Sequence, residues 1–383
     1  MFTAVRDGLM NMVDYFATVA ARLPAARAAL LRTYHGERVT LRTPDGALVD
    51  GALFGRGALE SGSAHGLVLY LGGNGECLLL PAGARARARA RSHTRTRTPQ
   101  HAVRADVCAL ARMCGCGCGS SAGEFYEHET LAMAFVSHGY AVLTINYRMV
   151  GESVGPLSSV GPIIDAATAL AYCVHILNVQ PQRIVLFGHS IGGAFAAETA
   201  TLFPQVYVVS DRSFDSLTSV SWVHVGGDTL AAYLQQFRNG PAVVRVLQRS
   251  VALFLRYLAC WHLDASHHWK AVAQDRKCVL YATMDMVIPP HVQLATHARE
   301  HAARTGEEGV MLHLRAGSRE RDMCHHNRAL TNTELAAVLR LIKDYAATLQ
   351  EASAQPLAAG SSGDAGLASV AAATTATPGS SPR

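Results

Sequence analysis

The sequence predicts an α/β fold, a mostly parallel sheet covered by helices on both faces, and three observations carry that prediction. Short apolar runs alternate with helical patterns along most of the chain. One Gly-x-Ser-x-Gly turn sits between such a run and such a helix. A long, aromatic-rich helical stretch interrupts the alternation late in the chain. With 383 residues, 49% of them hydrophobic and 16% charged, the composition fits one large core and excludes a fibrous or disordered chain.

The N-terminal segment, residues 1–35, places Phe2, Val5, Leu9, Met12, Val13 and Phe16 at helical spacing. Its polar face carries Arg6, Asp7, Asp14 and Arg22 without a basic excess. The pattern predicts an amphipathic helix docked on the fold in preference to one lying on a membrane. The main domain is expected over residues 36–350. Arg38 to Arg42 alternates as a strand, Pro44-Asp45-Gly46 turns, and Ala47 to Phe54 returns. Leu67 to Leu71 is a buried strand that ends in Gly72-Gly73-Asn74-Gly75-Glu76.

Residues 77–124 break every pattern. Ala-Arg, Thr-Arg and Cys-Gly alternations follow one another, and Gly75-Glu76 and Gly123-Glu124 bracket the segment as a direct repeat. The composition predicts a low-complexity, disordered insert, in the manner of a retained non-coding stretch. Its Cys114, Cys116 and Cys118 are spaced too closely for a tetrahedral zinc site, and no second cluster faces them.

The alternation then resumes. Phe125 to Ser137 reads as helix, Tyr140 to Ile145 as strand and Gly161 to Leu177 as helix. Ile184 to Phe187 and Val206 to Ser210 read as strands flanking a helix from Gly193 to Leu202. Cys278 to Thr283 and Val310 to Leu314 are late strands, and Thr333 to Leu349 is a closing helix. Residues 217–274, with Trp222, Tyr233, Phe237 and Trp261, are expected to form a helical cap over the site. Residues 351–383, rich in Ala, Ser, Thr and Gly, read as a disordered tail.

The net charge of +5 suggests nucleic acid, but residues 77–124 hold eight arginines against two acids and leave the remainder near neutral. No nucleic-acid footprint is expected outside that segment. No apolar run reaches the ~18 residues needed to span a bilayer. Nine cysteines without paired spacing, and no secretory leader, point to the reducing cytoplasm.

Gly188-His189-Ser190-Ile191-Gly192, directly after Ile184 to Phe187, carries the chemistry. Strand, tight turn and helix hold a serine at the apex, an arrangement that resembles the nucleophile elbow of an α/β-hydrolase. A serine hydroxyl needs a base to take its proton and an acid to orient that base. In this fold the chain order is serine, acid, histidine. Asp285, beyond an apolar strand and before Val287-Ile288-Pro289, is the expected acid, with Asp211 after Ser210 as its rival. His326 in Cys324-His325-His326-Asn327 is the expected base, with His325 as the alternative. The amides of Ile191 and Asn74 are the expected oxyanion donors. This chemistry calls for neither a metal nor an organic cofactor.

Asn146-Tyr147-Arg148, Gly151-Glu152-Ser153, Arg183 to Gly193 and Ser210-Asp211-Arg212-Ser213-Phe214 resemble the α/β-hydrolase-domain serine hydrolases. With residues 77–124 excised, Gly-Asn-Gly-Glu-Phe-Tyr-Glu and Ser190-Ile191-Gly192-Gly193 are most similar to the branch containing phosphatidylserine lipases. The resemblance covers about residues 36–350 and departs from that branch in lacking its membrane-spanning segments. It implies hydrolysis of a small-molecule or lipid ester through an acyl-enzyme, with peripheral membrane contact open. A protein-depalmitoylating thioesterase would use the same residues. A non-catalytic binding scaffold would keep the fold with a blocked pocket.

Overall fold

The central strands form where unbroken runs of branched aliphatic residues lie between glycine- and asparagine-bearing turns. The computed structural model describes residues 31–73, 131, 133–148, 152–156, 158–258, 261–285, 287–307, 309–315, 326 and 328–354. Residues 1–30 of the N-terminal segment, Asn74, the 77–124 segment, His325 and residues 355–383 lie outside them.

One sheet runs in the order β1-β2-β4-β3-β5-β6-β7-β8. Its strands are β1 (Glu37–Arg42), β2 (Leu48–Phe54), β3 (Gly66–Leu71), β4 (Tyr140–Asn146), β5 (Ile184–His189), β6 (Tyr207–Asp211), β7 (Lys277–Tyr281) and β8 (Val310–His313). β2 pairs antiparallel with both β1 and β4, and every other neighbouring pair is parallel. Every residue of β3, β4, β5 and β6 is buried. A strand covered on both faces needs apolar side chains at odd and even positions alike, which is why these runs are continuous instead of alternating.

The two faces carry separate cores. Leu67, Leu69, Leu186 and Val208 point to one side, against α2 (Gly161–His175) and α3 (Ile191–Leu202). Val68, Val142, Phe187 and Val209 point to the other, against the helix through Phe135 and against Leu335, Val338 and Leu339 of the closing helix. Arg148, after β4, is fully buried and bonds Asp165 of α2 at 2.7 Å and Asp45 of the β1–β2 turn at 2.6 Å. The Arg148 bond, with one from Thr43, holds the Asp45 carboxyl down at about 2, and Arg148 fastens the turn to the helix layer.

Several expected boundaries need correction. The helix after the serine turn begins at Ile191, not Gly193, because the strained turn passes into helical backbone without a spacer. The closing helix runs Asn332–Ala354 and so enters the stretch expected to be a tail. Two helices were not expected, α1 (Arg56–Glu60) and the helix Leu294–Thr305. Only Leu294 and Ala295 of the second are buried, so its apolar periodicity is too thin to read. Between β6 and β7 the chain is helical, as α4 (Leu217–His224), α5 (Gly227–Leu234), α6 (Gly240–Leu253) and α7 (Ala265–Ala271).

Candidate active site

The serine turn is built by three glycines and one strained residue. Ser190 holds φ 55° and ψ −123°, a conformation that costs a side-chain-bearing residue on the order of 1–3 kcal/mol. A Cβ on Gly188 would strike the carbonyl of Gly192, and one on Gly192 would strike that of Leu71. A Cβ on Gly193 would lie 2.6 Å from Ser210 Oγ, so bare glycine lets α3 press against β6. The Ser190 amide donates to the carbonyl of Asp211 at 2.9 Å, which ties the apex of the turn to the end of β6.

His326 meets this serine from a loop beyond β8. Its Nε2 lies 2.9 Å from Ser190 Oγ, and its Nδ1 lies 2.7 Å from Asp285 Oδ2. Asp285 and His326 are each 3% exposed. The other carboxylate oxygen, Asp285 Oδ1, accepts the amides of Val287 and Ile288, both at 2.9 Å. The carboxylate is thereby fixed in plane and can take only the Nδ1–H of the imidazole. That leaves Nε2 as the acceptor facing the serine. The chain therefore brings Ser190, Asp285 and His326 into one hydrogen-bonded line across 136 residues.

Asp211, the rival acid, has a different place. Its two oxygens take the Nε and Nη2 of Arg212 at 2.8 and 2.7 Å, and both side chains are buried. The amide of Ile191 sits in the first turn of α3, where no earlier carbonyl of the helix can accept it, so it is available to a developing oxyanion. Asn74 and His325 lie outside the described residues, but the approach to Asn74 is visible. Tyr147 donates its hydroxyl to the carbonyl of Gly72 at 3.3 Å and packs edge-on against Phe195 of α3.

Sequence reasoning missed two supports of the histidine loop. His189 is wholly buried at the end of β5, and its Nε2 donates to the backbone carbonyl of His326 at 2.9 Å. Arg212, at φ 47°, donates Nη1 to the carbonyl of Arg328 at 2.8 Å. Both are neighbours of residues already singled out, in Gly188-His189-Ser190 and Ser210-Asp211-Arg212. Their targets, however, are backbone atoms more than a hundred residues away, for which no local pattern exists.

Comparison with known proteins bears on the fold. A family model described as "alpha/beta hydrolase fold" matches residues 113–269. An uncharacterized protein of Caenorhabditis elegans, F37A4.1, is 39% identical over 80 residues, 21% of this chain and 17% of that protein. Protein bem46 of Schizosaccharomyces pombe is 28% identical over 141 residues, 36% of this chain and 47% of bem46. The chain thus matches less than half the length of either relative. Among solved structures, an alpha-beta hydrolase from Vibrio vulnificus is 16% identical with a TM-score of 0.46, covering 88% of this chain and 89% of that one. The sheet order, the strand–turn–helix serine and the matched family model agree, and the chain has the α/β-hydrolase fold.

Proposed function

We propose that this protein is a serine hydrolase that cleaves a carboxylic ester through an acyl-enzyme intermediate. The single observation that carries the reading is the His326 ring, bonded at once to Ser190 Oγ at 2.9 Å and to Asp285 at 2.7 Å. In the first step Ser190 Oγ attacks the ester carbonyl while His326 Nε2 takes its proton. The C–O bond then breaks as the same proton passes to the leaving alcohol. Water repeats the sequence on the acyl-enzyme. Asp285 keeps the imidazole in the required tautomer and offsets its positive charge when protonated. The Ile191 amide, with Asn74 as the expected second donor, would hold the oxyanion; losing one such donor costs roughly 10²–10³ in turnover.

A fluorophosphonate probe tests the proposal, because it reacts only with an activated serine. The full chain should label at Ser190 and hydrolyse short p-nitrophenyl esters, and Ser190→Ala should do neither while unfolding at the same temperature. Equal labelling of the two proteins, or ester turnover retained in the variant, would overturn the reading.

A further inference from the structure

We propose that the outer face of α5, α6 and the turn beyond α6 is a docking surface for an anionic lipid membrane. Its role in supplying an ester to the site rests on the hydrolase reading; the docking itself does not. Single exposed apolar residues are ordinary on a protein surface, but this hairpin gathers several. Tyr233 is 57% exposed, Phe237 52%, Val246 59%, Leu253 56% and Tyr257 66%. Tyr233 and Phe237 stack edge-to-face at 5.5 Å, forming one aromatic ridge.

The pattern on α6 is that of a helix with two apolar stripes. Val244, Leu247 and Val251 are half-buried and face the body of the protein. Val243, Val246 and Leu253 share a second stripe that stays exposed. Arg245 and Arg249, with Arg256 beyond the helix, make a third row about a quarter-turn from the exposed stripe. An apolar stripe flanked by arginines is the arrangement that lies in the headgroup layer of a bilayer.

Charge selects the occupant. From Asp228 to Asp264 the sequence contains no acid between those two, while Arg238, Arg245, Arg249 and Arg256 are all exposed. A second copy of the chain would set these arginines against themselves. Residues 1–30 carry three arginines against two aspartates, and the 77–124 segment has eight arginines, so neither offers the complementary charge. Negatively charged lipid headgroups do, and they also accept the apolar stripe.

The surface adjoins the candidate site. Asp228, in the first turn of α5, pairs with His291 at 2.9 Å, and His291 follows Asp285 by a short loop. A membrane held on α5 and α6 would therefore lie beside the loop that follows Asp285.

The test is co-sedimentation of the full chain with phosphatidylcholine vesicles made with and without phosphatidylserine. The parent should bind the anionic vesicles, and salt should weaken binding. Arg245→Gln with Arg249→Gln should lower partitioning roughly 25-fold, at about fivefold for each charge near the surface. Val246→Asp should weaken binding as well. Both variants should hydrolyse a short soluble ester like the parent, and Ser190→Ala should bind vesicles like the parent. Ester turnover without anionic-vesicle binding would overturn the docking surface alone, and vesicle binding without turnover would overturn the hydrolase reading alone. Unchanged partitioning in the arginine variant would refute the proposal. So would a dimer that Val246→Asp dissociates, or binding that appears only after deletion of residues 1–30.

Discussion

Replacing Asp285 by asparagine should remove activity while leaving the fold in place, and the geometry dictates how. Asp285 Oδ1 accepts two amides, from Val287 and Ile288 at 2.9 Å each. An asparagine must keep its carbonyl oxygen there, because its amino group would otherwise face two N–H donors. Its NH₂ then occupies the Oδ2 position, 2.7 Å from His326 Nδ1. The imidazole can accept that hydrogen bond only by moving its own proton to Nε2, and a protonated Nε2 cannot take the proton of Ser190. The wrong tautomer costs about 10⁴ in kcat, or about 5 kcal/mol of transition-state stabilisation. Because the side chain keeps its shape and its two amide bonds, the stability change should stay within about 1–2 kcal/mol. Asp211→Asn should behave in the opposite way. It leaves the Arg212 guanidinium buried without its carboxylate, which destabilises the fold by about 3–5 kcal/mol. Turnover of the folded fraction should stay within about tenfold of the parent. Steady-state hydrolysis of a p-nitrophenyl ester and urea midpoints for the two variants measure both quantities. Greater loss of kcat in Asp211→Asn than in Asp285→Asn would refute the assignment of the orienting acid.

Three further outcomes are expected. Ser190→Gly should be more stable than Ser190→Ala by about 1 kcal/mol in urea unfolding, since φ 55° suits glycine and strains alanine; equal midpoints would argue against the strained turn. Burial pushes the Cys278 thiol up to about 12, whereas an unfolded thiol ionises near pH ~8.5. Above that lower value the unfolded state sheds a proton the folded state keeps, so stability falls by about 1.4 kcal/mol per pH unit until the folded thiol ionises. The alkaline limb of a stability–pH curve should accordingly be shallower in Cys278→Ala, and parallel limbs would contradict the burial. Deleting residues 77–124 should rejoin Glu76 to Phe125, give a folded protein and raise ester turnover; loss of folding or of turnover would make the segment a working part of the protein.

The sheet and the serine turn were legible in the sequence because contiguous residues encode them. A run such as Ile184-Val185-Leu186-Phe187 declares a strand buried on both faces, and Gly188, Gly192 and Gly193 stand where any Cβ would collide. Ser190, Asp285 and His326 were singled out by their places after β5, β7 and β8, and the structure brings their side chains within hydrogen-bond reach. The helix Leu294–Thr305 was not, because only two of its residues are buried and an amphipathic signal needs a wider stripe. The sequence favoured Asp285 over Asp211 by position but left Asp211 as a rival. Both stand at or just past the ends of neighbouring parallel strands, β6 and β7, and each is a plausible partner for a histidine by position alone. The tertiary structure decides between them by what each carboxylate faces. Arg212 bends back at φ 47° and neutralises Asp211, while the turn after β7 aims Asp285 at His326. The supports from His189 and Arg212 to the histidine loop belong to the same class. They end on backbone carbonyls far along the chain, and a backbone acceptor carries no residue identity, so only the folded chain specifies which carbonyl arrives within reach.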